Sequence, residues 1–515
     1  MHSLKPVSEK PCFYLVVALL TVGSLLPIWW FRFLPMQDYP QHLFMVKVLQ
    51  TFQDSGLDWS RYYDVDLRIG PYSLFYLVTF FFSYFAGIES AGKLFVSLYV
   101  LLVVALIIRE SRRSARQGHL PWGVLLLFPF MFHQIYYMGF ANYLISIPLL
   151  FLVMGDFEDF VHGDLTGWSV LKHLGYLVAL SLAHPFTVLV AIVFMVAAAM
   201  VHYRAGRPTA PRALVAPVVL AVLFAGWYWG AVPGEHAGAG GAGWSMRWFS
   251  LYELLSYYAI MFIGQNRDYS LLSAAALLLW AVVGFVLFRS EGGERDGATS
   301  APELLFWGLA LLGYLVLPFW IKGYAYFNLR LAPVTYFLLA LLAGQRRLTG
   351  QGKILLVAAL AGIMVVPFLL HQRLSSETEE ILPLLHKMER NAAVLPYIED
   401  AAPRAIDPVI FNEFHRHDHF YYHVLVGGGA NPAIFQSPLI PVQFRKDFSL
   451  PRLASNFRGA DFSAYYRYLL VRGALPEAAA MPEHLSRRAQ FGKWTLLEGE
   501  EKARRRWFAP GKGLP

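Results

Sequence analysis

Asp38 and His42 stand at positions i and i+4 in Met36-Gln37-Asp38-Tyr39-Pro40-Gln41-His42-Leu43, a spacing that puts a carboxylate and an imidazole on one helix face. Asp38 lies only a few residues past the first apolar stretch. An ionisable group so close to a bilayer boundary is costly unless it caps a helix, pairs, binds a metal or does chemistry. Capping fits the local pattern: Pro40 falls in the first turn, and Leu43, Val46 and Leu49 continue an amphipathic helix. A capping carboxylate at the membrane face is also placed to act as a base. At the same membrane level the sequence sets Asp64, Asp66, Arg68, Asn142, His184, Glu253, Arg267, Lys322, Asn328 and Arg330. Carboxylates and imidazoles of this kind take a proton from an acceptor, and the cations hold a departing phosphate. We therefore assign Asp38, His42 and Asp66 to proton transfer, Arg330, Lys322, Arg267 and His184 to a phosphate, and Asn142, Asp64 and Glu253 to substrate contact. His415, His417 and His419 alternate along one side of a segment expected to be extended. A solvated or acceptor-facing loop explains them better than zinc does, and no metal site is assigned. A divalent metal is compatible with these acids and required by none.

The elements that must carry these residues are membrane helices. Hydrophobic residues make up 57% of 515 and charged residues 15%, with mean hydropathy +0.44, the profile of a polytopic α-helical membrane protein. The net charge of +8 resides in short loops, as the positive-inside rule expects, and is not a nucleic-acid signal. One cysteine, Cys12, excludes a disulfide framework. The first apolar stretch, about 12–31, reads as a retained signal anchor with its N-terminus in the cytoplasm. The first outer loop covers 32–70. Aromatic-rich 71–88 is expected in the interface, so that 91–108 brings a basic loop of Arg109, Arg112, Arg113 and Arg116 to the cytoplasm. Residues 122–138 are expected to run outwards as a span, 139–143 to turn, and 144–154 to return to a loop holding Asp156, Glu158, Asp159 and Lys172. Within 173–203, His184-Pro185 divides two helices. Span 214–229 leads to a glycine-rich loop at 231–243 suited to a mobile lid, and an interfacial helix at 244–264 follows. Further spans fall near 271–288, 304–321, 331–342 and 354–370, about eleven in all. Residues 1–371 thus form the membrane module. Residues 372–515 are expected to form a small α/β domain, with a helix at 377–390, strands at 409–414, 468–471 and 494–497, and a turn at Gly427-Gly428-Gly429.

With one span, an acid opening the outer loop at Asp38, later acids Asp64 and Asp66, the aromatic Pro71-Tyr72-Ser73-Leu74-Phe75-Tyr76 and an arginine-ended span, the chain resembles the bacterial type-C glycosyltransferases. These are the polytopic GT-C enzymes that include aminoarabinose, protein-mannosyl and oligosaccharyl transferases. Asp38-Tyr39-Pro40-Gln41-His42, Gly139-Phe140-Ala141-Asn142-Tyr143, Ala183-His184-Pro185 and Asn328-Leu329-Arg330-Leu331-Ala332-Pro333 look like a separate branch of that superfamily. The resemblance implies an inverting transfer of sugar from a polyprenyl-phosphate donor to a lipid, glycan or protein acceptor. It also implies the outer face of the bacterial inner membrane, with the C-terminal domain periplasmic and Asp38 as base or metal-associated group. The paired acids of mannosyl transferases are missing, since Gln37 precedes Asp38. A transporter or lipid flippase would instead carry charges in mid-span and repeated halves, and a non-catalytic scaffold would give Asp38, His184 and Arg330 no joint purpose.

Overall fold

The computed structural model describes residues 9–162, 167–207, 214–231, 246–260, 271–288, 301–321, 324–404, 413–434, 440–445, 466–475 and 485–499. These divide into two units: Met1–Trp30, Gly70–Leu74 and Phe95–His371 form the first, and Phe31–Ile69, Phe75–Leu94 and Gln372–Pro515 the second. The described residues are 66% helical. Four helical stretches are long and apolar enough to cross a membrane: Glu9–Trp30, Ile88–Arg116, Pro185–Arg204 and Gly350–Leu385. Large apolar side chains such as Leu15, Leu19, Leu174, Val178, Val222, Leu277 and Ile354 stay exposed, which marks the chain as a membrane protein.

Taken in order, α1 (Glu9–Trp30) leads into α2 (Tyr39–Thr51), β1 (Tyr63–Val65) and α3 (Leu74–Ser83). At about 1.5 Å per residue α3 falls well short of a bilayer core. Helix α4 (Ile88–Arg116) carries Arg109, Arg112, Arg113 and Arg116 in its last turns, so the expected basic loop is helical. Glu110, Asp156 and Asp159 lie 2.9, 3.7 and 3.0 Å from the Arg109 guanidinium and let that turn persist.

The expected span at 122–138 is not one helix. It breaks into a 3₁₀ turn at Trp122–Leu126, α5 (Leu127–Phe130) and α6 (Gln134–Met138). Pro121 and Pro129 remove backbone donors, and extended His133 interrupts the path. Gly139, at φ 80°, ends α6 where a side chain would be strained. Helix α7 (Ala141–Val161) then takes in Asp156, Glu158 and Asp159, and α8 (Gly167–Ala183) takes in Lys172. These four residues, expected in a loop, are therefore helical. Helix α9 (Pro185–Arg204) starts where the His184-Pro185 break is expected.

Next come α10 (Val215–Ala231), β2 (Met246–Arg247), α11 (Leu251–Ile260), α12 (Leu271–Phe288) and α13 (Ala301–Val316). Strands β3 (Trp320–Ile321) and β4 (Tyr324–Ala325) pair antiparallel with each other, and β3 with β2. Helices α14 (Leu331–Gly344), α15 (Gly350–Glu379) and α16 (Leu382–Leu385) complete the helical run. The glycine-rich segment 232–245, Arg267 and Lys322 lie outside the described residues.

The second unit holds β5 (Val394–Ile398), α17 (Tyr421–Leu425), β6 (Val442–Phe444), β7 (Tyr468–Arg472), β8 (Leu485–Phe491) and β9 (Trp494–Gly499). Its sheet runs β5-β7-β9-β8, parallel between β5 and β7 and antiparallel elsewhere. Buried Val394, Leu469, Leu470, Val471 and Leu496 form its core. Strand β1 pairs with β6, Tyr63 opposite Phe444 and Val65 opposite Val442, so residues of the first loop fold with the C-terminal part. Residues 409–412 of one expected strand lie outside the described residues.

Candidate functional site

In the second unit Asp38 occupies the N-cap position of α2, yet its carboxylate makes no capping hydrogen bond and its backbone is already helical, φ −85° and ψ −9°. Pro40 explains this in part, because it offers no N–H to a cap. The carboxylate instead approaches His417, Oδ1 to Nε2 3.4 Å, with 27% of the side chain exposed. Burial, relieved by Arg416 and reinforced by Glu413, pushes its pKa up to about 7. His417 itself is held neutral: burial, Arg416 and His42 push its pKa down to about 3. One turn along α2, His42 Nδ1 lies 2.8 Å from the Tyr76 hydroxyl, and burial brings its pKa down to about 4. A carboxyl that titrates near neutrality beside two neutral imidazoles can accept a proton from a hydroxyl.

The first unit carries a different arrangement. Arg330 precedes α14, with its guanidinium 5.6 Å from the ring centres of both Phe140 and Phe327. Its Nε is buried without a partner, and among the described residues no carboxylate pairs with it. The Tyr143 hydroxyl donates to the Arg330 carbonyl. His184 caps α9: its Nδ1 accepts from Phe186 N–H at 3.2 Å, which leaves the proton on Nε2. Its ring stands edge-on to Tyr143 at 5.2 Å and to Tyr72 at 5.6 Å. Asn142 Nδ2 donates to the Tyr72 carbonyl at 2.8 Å. Tyr72 and Tyr326 both adopt positive φ, 76° and 69°, a conformation costly for an aromatic residue and found where surroundings enforce it. Asn328 is wholly buried; its Oδ1 accepts from Leu329 N–H, and its Nδ2 has no partner. The fold thus gathers Asn142, His184 and Arg330 around two tyrosines. A planar guanidinium with an open donor and aromatic walls suits an oxyanion such as phosphate.

Other expected site residues stand elsewhere. Asp64 is exposed on β1 opposite Gln443, and Asp66 pairs on the surface with Arg68 at 2.6 Å. Glu253 closes a local cap on α11, its Oε2 accepting from Ser250 N–H at 2.7 Å and from Ser250 Oγ at 2.8 Å. Arg267 and Lys322 lie outside the described residues. The histidine row is not extended. It turns through a 3₁₀ segment at Asp418–Phe420 into α17, so His415 faces Asp418 at 2.6 Å and Glu377 at 3.3 Å while His417 faces Asp38. Sequence reasoning missed Tyr72, Tyr143, Tyr326 and the His417 partnership. A tyrosine beside Pro71 and another following Asn142 were the available signals.

Comparison with family profiles, with curated proteins and with solved structures returns no match.

Proposed function

We propose that this protein is an inverting membrane glycosyltransferase that uses a polyprenyl-phosphate-linked sugar at the outer face of the bacterial inner membrane. The observation that carries the reading is the Arg330 guanidinium, flanked by Phe140 and Phe327 with its Nε unpartnered. An apolar wall with one open cation matches an isoprenoid phosphate better than it matches a soluble anion. Asp38 supplies the base. An acceptor hydroxyl oxygen bonds to the anomeric carbon, the bond from that carbon to the donor phosphate oxygen breaks, and polyprenyl phosphate leaves with the electron pair. The hydroxyl proton goes to a carboxylate base, the role the sequence assigns to Asp38. About eleven spans, a cytoplasmic N-terminus and a periplasmic C-terminal domain belong to this reading, as do lipid, glycan or protein acceptors.

The test uses the full chain in detergent with undecaprenyl phosphate and undecaprenol as paired probes. The phosphate lipid should raise Tm while the alcohol does not, and Arg330→Lys, which keeps charge but loses the planar fork, should weaken that response at least about 10-fold in lipid concentration. Equal responses to both lipids would remove the phosphate site. Supplied with polyprenyl-phosphate sugars and native membranes, the parent should release polyprenyl phosphate. Lipid binding without release would favour the transporter or flippase reading.

A further inference from the structure

We infer that the end of the α7–α9 helix pair holds a zinc-type divalent cation, bound by Glu158, His162 and His202. Each offers one ligand atom, and the three atoms lie within 4.8 Å of one another. Glu158 and His162 are i and i+4 at the end of α7, and His202 lies in the last turn of α9. Such a set, two imidazoles and one carboxylate, suits a borderline-soft ion and leaves a fourth position open.

Hydrogen bonding around the cluster points the same way. His162 Nδ1 lies 2.7 Å from the Glu158 carbonyl, which can only accept, so Nδ1 carries the proton and Nε2 presents a lone pair. That outer contact commonly orients a ligating histidine. His202 Nε2 lies 2.7 Å from Glu158 Oε2, an approach that an ion pair would also explain. An ion pair, however, leaves Glu158 Oε1 buried without a partner and gives His162 no part. A cation meets both needs. Around zinc, with bonds of about 2.0–2.1 Å, tetrahedral ligand atoms sit about 3.4 Å apart, so rotamer changes of about 1 Å close the set. His162 is exposed while Glu158 and His202 are buried, which gives the ion a way in from solvent. The cation cross-links α7 to α9 in the way a structural zinc ties separate segments together.

The experiment uses the full chain in detergent, stripped with EDTA, dialysed and titrated with zinc chloride alone. Bound zinc per chain and Tm are both measured. The parent should take up one zinc per chain with a zinc-dependent rise in Tm that EDTA reverses. His162→Ala changes an exposed side chain, so its metal-free Tm should match the parent's. Its zinc affinity should fall at least about 10-fold and its Tm rise should vanish. His417→Ala should keep the parent's zinc response. The inference is overturned if the parent binds no zinc, if His162→Ala binds it as the parent does, or if binding is lost in His417→Ala instead.

Discussion

Asp38 is a carboxylate kept partly from water, and its protonation follows from that placement. The folded group holds its proton up to about 7, whereas the ordinary carboxyl value is 3.8. Between those values the folded state binds more protons than the unfolded one, so this group's contribution makes stability fall as pH rises through the window. Asp38→Asn removes that slope. The Tm difference between the Asp38→Asn variant and the parent should therefore grow in favour of the variant from about pH 4 to about pH 7, then level off. Activity should move the other way. A general base must be ionised, so parent turnover should rise with pH to a plateau above about pH 7, and Asp38→Asn should cost about 10²-fold or more. Turnover in the variant near the parent rate would reduce Asp38 to a helix-end residue and shift the search to Asp64, Asp66 or Glu253.

Among the elements, the broken stretch that opens at Trp122 depends on a close backbone contact. A Cβ at Gly123 would lie 2.2 Å from the Ala343 carbonyl oxygen and 2.3 Å from its carbon. Backbone cannot swing aside as a side-chain tip can, so Gly123→Ala must push the 3₁₀ turn off α14. The expected loss is about 2–4 kcal/mol, seen as a lower Tm or a failure to accumulate folded protein. Gly350→Ala, whose added Cβ meets nothing within 4 Å, is the matched control. A Gly123 variant as stable as that control would mean that turn and helix do not pack as described. A second buried device lies in the sheet unit, where Glu377 meets His415 at 3.3 Å and Arg404 N–H at 2.8 Å while Arg472 Nη2 stands 3.9 Å away. Glu377→Gln removes one of several countercharges of buried Arg472, which keeps Asp400 Oδ1 at 3.7 Å, and weakens the contact to His415, so it should cost about 1–3 kcal/mol. Chemical denaturation followed by tryptophan fluorescence would measure it, and an unchanged midpoint would show the charge to be dispensable.

Over the whole molecule, the proposed orientation is tested by labelling. In a Cys12→Ser background, Arg112→Cys should react only after the cytoplasmic side is opened, and Ser486→Cys on β8 should react in sealed spheroplasts. The same side for both would break the proposed topology. What the sequence determined by itself is what local physics writes along a chain: the apolar runs, the His184-Pro185 break, the Gly427-Gly428-Gly429 turn at positive φ, and strands β7 and β9. Hydropathy and proline sterics act within a few residues, so they were legible. Tertiary structure alone decided the rest. Whether Arg109–Arg116 and Asp156–Asp159 are loops or helix ends depended on their facing one another across α4 and α7. Whether His415 and His417 share a side depended on Asp418, Glu377 and Asp38, and Arg330 met Tyr143 across 187 positions of sequence. Contacts of that range depend on which faces the packed helices present, and no local window of sequence contains that choice.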